Sequence, residues 1–191
     1  MGRLVLVLGG ARSGKSAFAE RLARVEAGND VLYVATATVT DTEMAARIAR
    51  HRATRPATWE TMELPTGAGD ALRQRADLPP VILLDCLTLL LSTPALTDPT
   101  LSANAVESHA TIEIDGLLRL CDAHSGTLIV VSNEVGMGLH PTSTLGRIYR
   151  DVLGRANQRL AARADAAYLL VAGIPLDLQR LRAAIPEAPW Q

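Results

Sequence analysis

Residues 4–16 read LVLVLGGARSGKS. A five-residue apolar run of strand length closes on two glycines and opens into a helix-forming stretch beginning near Lys15. Gly9, Gly14, Lys15 and Ser16 meet the pattern G-x-x-x-x-G-K-[ST]. Glycines let successive backbone N–H groups turn into a phosphate-sized hollow, and the helix that follows adds the positive end of its dipole. Lysine reaches the β and γ phosphates of a nucleotide, and the serine hydroxyl ligates magnesium. Strand before and helix after are the context this motif requires, so the chain reads as a nucleotide enzyme.

Further apolar runs fall at residues 31–35, 81–84, 128–131 and 168–172. Continuous rather than alternating runs suit strands covered on both faces, as in a parallel sheet. Stretches of helical period lie between them, at residues 15–26, 42–52, 70–76, 103–123 and 145–164. Strand and helix in alternation predict an α/β fold with a mostly parallel central sheet flanked by helices. Residues 59–64 read as a weaker, edge strand, and residues 94–104 as a loop. The 191 residues, 48% apolar and 20% charged, predict one domain spanning 1–191.

Composition narrows the function. A formal charge of −1 and 3% aromatic residues leave little for tracking a nucleic-acid backbone or stacking bases. No stretch approaches the roughly 18 apolar residues of a membrane helix, and the N-terminal run is too short for a signal peptide, so a cytoplasmic protein is expected. Cys86 and Cys121 stand apart without metal-ligand spacing and read as small buried hydrophobes. Of 19 basic residues 18 are arginine; the one lysine is Lys15, inside the phosphate motif.

A magnesium nucleotide needs a carboxylate on a neighbouring strand, and VILLD puts Asp85 at such a strand end, where it serves either as that ligand or as a helix cap. Ligands in open α/β sheets bind beyond the carboxyl ends of the strands. Ala35, Thr36 and Ala37, Glu63, and Ser132, Asn133 and Glu134 are therefore candidates. The segment Thr40-Asp41-Thr42-Glu43 fits a capping box for a helix that ends near His51. A histidine there is ordinarily a helix-end residue. Arg47, Arg50, Arg52 and Arg55 surround it, a cluster that calls for anions to neutralise it. His109, His124 and His140 read as surface or helix-end residues.

GGARSGKS, VLYVATA, DTEMAARIARHRATRPATWET, LLDCLTLLL, SNEVGMGLHP and RDVLGRANQRLAARAD together resemble the bifunctional adenosylcobinamide kinase and adenosylcobinamide-phosphate guanylyltransferase family, over residues 4–174. The resemblance implies a RecA-like P-loop NTPase fold that phosphorylates the corrinoid adenosylcobinamide and then transfers GMP from GTP onto that phosphate. It implies a covalent guanylyl-histidine at His51, with Lys15 also catalytic. It places nucleotide contacts on Gly9, Gly10, Ala11, Arg12, Ser13, Gly14, Lys15 and Ser16, on Ala35, Thr36 and Ala37, on Arg52, Ala53, Thr54 and Arg55, and on Glu63 and Asp85. Mg2+ is expected on Ser16 and Asp85, with GTP and ATP as substrates. A homo-trimer with no nucleic-acid or membrane partner is likewise implied. Two other readings stand beside it: a plain small-molecule kinase in which His51 is structural, and a RecA-like nucleic-acid-binding ATPase.

Overall fold

The computed structural model describes residues 1–38, 42, 45, 46, 48, 49, 52, 55–98 and 100–183, with side chains 93–97 excepted. Thr40, Asp41, Glu43, Arg47, Arg50, His51, Ala53 and Thr54 lie outside the described residues. Seven strands form one sheet: β1 (Arg3–Gly9), β2 (Val31–Ala35), β3 (Glu60–Glu63), β4 (Val81–Asp85), β5 (Thr127–Val131), β6 (Ala166–Val171) and β7 (Ile174–Asp177). Their order is β3-β2-β4-β5-β1-β6-β7. All neighbours run parallel except β6 and β7.

The apolar runs are continuous because both faces are covered. Leu4, Leu6, Leu32, Ile82, Leu84, Leu128 and Val130 turn to one face, against α2 (Ala68–Arg73), α3 (Leu87–Thr97), α4 (Ala103–Ala123) and α5 (Thr144–Arg163). Val5, Val7, Tyr33, Val81, Leu83, Ile129 and Val131 turn to the other, against Ala19 and Ala23 of α1 (Lys15–Ala27) and against Trp59. Serine hydroxyls cap two of the long helices: Ser102 accepts from Ala105 N–H, and Ser143 from Gly146 N–H.

The strand that leads into the phosphate loop, β1, and the strand that ends in Asp85, β4, are not neighbours; β5 lies between them. That inserted strand is the arrangement expected of a RecA-like sheet. The edge position of β3 agrees with the sequence, but the loop expected over residues 94–104 is shorter. Helix α3 continues to Thr97 and α4 starts at Ala103. The helix LTLLLSTPALT is apolar nearly all round, so it carries no 3.6-residue period to reveal it. Among the described residues, no helix is long and apolar enough to cross a membrane.

Candidate active site

Gly14 begins α1 in a left-handed conformation, φ 92°, with no side-chain cap on the helix, so the first-turn N–H groups face the loop that precedes them. Arg12 is also left-handed, at φ 57°. The loop is tied down at three points: Ser13 N–H donates to Gly10 O at 3.3 Å, Glu134 N–H to Gly9 O at 3.0 Å, and Gly173 N–H to Ser13 O at 3.0 Å. Lys15 folds back across it, Nζ donating to Gly10 O at 3.1 Å.

The carboxyl ends of β3, β2 and β4 lie in register: Ala35 pairs with Glu63 on one side and with Asp85 on the other. Beyond them opens a pocket lined by Ser16, Ala35, Ala37, Arg52, Glu63 and Asp85, which the sequence names, and by Tyr33, Ile48, Cys86 and Leu89, which it does not; Arg55 completes it. Tyr33 OH donates to Asp85 Oδ2 at 2.8 Å. Burial foremost, and then the Asp85 carboxylate, hold the Tyr33 hydroxyl far above its ordinary range, so it remains a donor.

Arg55 lies flat on Tyr33, Cζ 3.4 Å from the ring centroid. Its Nε and Nη1 are buried and have no hydrogen-bond partner among the described residues. A guanidinium in this position is built for an anion, because unpaired buried donors are otherwise costly. Arg52 pairs with Glu63 across the rim, and both side chains remain more than half exposed.

Several other residues have their side chains engaged in the fold. Thr36 is fully buried, its hydroxyl donating to Cys86 O at 2.7 Å and accepting from Cys86 N–H at 2.9 Å, so its side chain joins two strand ends. Cys86 is a pocket wall and not merely a core residue. Burial first, then Asp85, push its thiol up to about 11, which leaves it protonated at neutral pH. His109 meets Leu90 O at 3.2 Å, His124 caps the end of α4, and His140 lies 3.0 Å from Arg150. In α5, Asn157 is buried and its neighbour Gln158 exposed.

Tyr33 was hidden inside an apolar strand. The signal that could find it is general: a tyrosine in a buried strand needs a partner for its hydroxyl, and Asp85 ends the neighbouring strand on the same face. Glu20 was also missed. It lies one helical turn after Ser16, and burial first, then Asp85, raise its carboxyl above the usual range, opposed by Arg55 and Arg24.

Ser16 and Asp85 offer one hydroxyl and one carboxylate, hard oxygen donors of the kind magnesium takes in phosphate sites. Among the described residues, no cluster of three or more His, Cys, Asp or Glu is gathered for a metal. Phosphate oxygens and water would complete the shell of such an ion.

A phosphate loop, a strand-end carboxylate and an arginine with unmet donors, all at the carboxyl edge of a parallel sheet, define a P-loop enzyme. The chain belongs to the cobinamide kinase / cobinamide phosphate guanyltransferase family, whose model matches residues 5–178. That membership makes it a transferase. It is 44% identical over 174 residues to the bifunctional adenosylcobalamin biosynthesis protein CobP of Pseudomonas aeruginosa, covering 91% of this chain and 96% of that protein. It is 41% identical over 184 residues to the bifunctional adenosylcobalamin biosynthesis protein CobU of Escherichia coli, covering 92% and 99%. Among solved structures, the RadB recombinase superposes over 87% of this chain and 73% of its own, with a TM-score of 0.49 and 15% identity.

Proposed function

We propose that this chain phosphorylates the aminopropanol hydroxyl of adenosylcobinamide and then transfers GMP from GTP to that phosphate through a guanylyl-histidine at His51. The observation that carries the reading is the composition of one pocket. Ser16, which follows the phosphate loop, Asp85, Arg52 and Glu63 line it together, and Arg55, with two unbonded donors, completes the lining.

In the first half of the transfer an imidazole nitrogen of His51 attacks the α-phosphorus of GTP. The P–N bond forms as the bond to the β-phosphate oxygen breaks, and pyrophosphate leaves. In the second half a phosphate oxygen of adenosylcobinamide phosphate attacks the same phosphorus, breaking P–N and freeing the histidine. Dividing the displacement in two is the advantage of a covalent intermediate. Lys15, Arg52 and Arg55 take up charge on the phosphates. Ser16 and Asp85 would hold a magnesium ion, which would supply Lewis-acid neutralisation of the same oxygens. Guanine presents two adjacent N–H donors, and the Glu63 carboxylate accepts both where adenine offers no such pair. Gly9, Gly10, Ala11, Arg12, Ser13 and Gly14 supply backbone contacts, and Ala53 and Thr54 belong to the same proposed nucleotide set.

The reading takes the chain as one domain and a cytoplasmic homo-trimer acting on small molecules, with no nucleic acid involved. Sedimentation reports the oligomer, and filter binding with single-stranded DNA is expected to retain nothing.

The test is incubation with α-labelled GTP and magnesium. Label that leaves the protein in acid, persists in alkali and is lost in His51→Ala supports a phosphoramidate. Label that resists acid, or survives the substitution, excludes the phosphoramidate at His51, and phosphorylation of the corrinoid with no uptake of α-label favours the plain kinase.

A further inference from the structure

Strand β5 separates the phosphate-loop strand from the Asp85 strand, with Val131 in register with Val7 on one side and Asp85 on the other. The ladder continues past its end: Ser132 N–H donates to Val7 O at 2.9 Å and Glu134 N–H to Gly9 O at 3.0 Å. Asn133 therefore sits between the first residues of the phosphate loop and the carboxylate of β4. Side chains alternate along this path. Ile129 and Val131 face α1, and Ser132 faces α5, where its hydroxyl donates to Asn157 Oδ1 at 2.7 Å. By the same alternation Asn133 returns to the face of α1, which it shares with Tyr33 and Asp85.

Both backbone groups of Asn133 are held by side chains. Its N–H donates to Thr88 Oγ1 at 3.0 Å, and its carbonyl accepts from Asn157 Nδ2 at 3.0 Å. Tyr149 OH fixes Thr88 in turn, donating to its carbonyl at 2.7 Å. The side chain, by contrast, is unused: Oδ1 is buried without a hydrogen-bond partner among the described residues. A buried carboxamide oxygen left unmet on so firmly fixed a backbone calls for a ligand. With no bond to hold it, the amide can turn about its last torsion and present donor or acceptor as a substrate requires.

We propose that Asn133 is a catalytic residue of the phosphoryl-transfer step, its carboxamide bridging the γ-phosphate and the attacking hydroxyl. The NH2 donates to a γ-phosphate oxygen, and Oδ1 accepts the hydrogen of the substrate hydroxyl, aligning it in line with the leaving group. The hydroxyl oxygen bonds to the γ-phosphorus, the bond to the β–γ bridging oxygen breaks, the nucleoside diphosphate departs and the hydroxyl proton passes to water. This inference rests on the kinase half of the function proposed above and not on the guanylyl-histidine.

The test uses the full chain with adenosylcobinamide and γ-labelled ATP or GTP, and scores the same samples for uptake of α-labelled GTP. Asn133→Ala loses both halves of the bridge; Asn133→Asp, of equal size, loses the donor and adds a negative charge against the phosphate. In both, kcat for phosphorylation is expected to fall about 100-fold, with KM for the nucleotide changed less than about threefold and α-label uptake retained. Phosphorylation within about threefold of wild type in either variant overturns the proposal. So does a parallel loss of both activities in the alanine variant together with a lowered Tm, which would mark Asn133 as structural. Wild type that takes up no α-label overturns the guanylyl reading alone, because the γ-label measurement still decides this one.

Discussion

The Arg55 guanidinium sits over the Tyr33 ring at 3.4 Å, and that ring's hydroxyl is bonded to Asp85, so the pocket's cation and its strand-end carboxylate share one aromatic mount. Removing the cation is expected to weaken GTP binding about 30-fold, the loss of a charge-assisted pair worth about 2 kcal/mol. Arg55→Met in a titration, with the rise in Tm on adding GTP as a second readout, measures this. Arg55→Lys is expected not to restore it, because an ammonium has neither the planar face for Tyr33 nor the fork for a phosphate. A lysine variant that binds GTP as wild type would refute the role of the stack.

Tyr33→Phe leaves the ring under Arg55 but removes the donor to Asp85. Groups that orient a metal ligand typically contribute about tenfold or more in metal affinity. The magnesium concentration for half-maximal activity is therefore expected to rise about tenfold, with activity at saturating magnesium largely recovered. An unchanged magnesium curve would show that Asp85 needs no help from Tyr33.

The Arg52–Glu63 pair, with side chains 57% and 58% exposed, contributes at most about 1 kcal/mol to stability. A nucleotide can displace it at small cost. Arg52→Ala is expected to leave Tm within about 3 °C, while Glu63→Gln is expected to erode the preference for GTP over ATP in guanylyl transfer by more than about tenfold. Competition kinetics with the two nucleotides decides the second claim. Full preference in the glutamine variant would remove Glu63 from guanine recognition.

Glu20 gives a pH signature. Its carboxyl is raised in the folded state, first by burial and then by Asp85, so folding favours its protonated form. The sign follows: its contribution is fully present below the unfolded value, near 4.5, and is lost as pH rises through the higher folded value. Glu20→Gln is expected to match wild type in Tm below pH 4.5 and to gain on it progressively above. A gap between the two that stays constant from acid to neutral pH would contradict this.

Most of the sheet and one side of the site were legible because their signals are local. GGARSGKS is contiguous, Asp85 closes an apolar run, and Glu63 ends the short edge strand that follows Trp59. What escaped was set by neighbours in space. Helix α3 has no polar face to give it a period, and β7, carrying Pro175, survives only as the antiparallel edge of β6. Tyr33 looks like any core residue until β4 is laid beside β2. Asn133 was one of three candidates at a strand end, and only the partners taken by Ser132 and Glu134 leave its side chain as the one unspent.

The two strands flanking β1 come from the last third of the chain, β5 at Thr127–Val131 and β6 at Ala166–Val171, and the turn after β6 reaches back to bond Ser13 through Gly173. The phosphate loop is thus synthesised first and supported last. On the ribosome, residues 9–16 emerge as an unpaired strand end and wait for more than 150 residues before their frame is complete, since domains close only when their distant partners are made. A chain cut short before the hairpin of β6 and β7 keeps the whole motif in its sequence but lacks one flank of β1 and the Gly173 bond to Ser13.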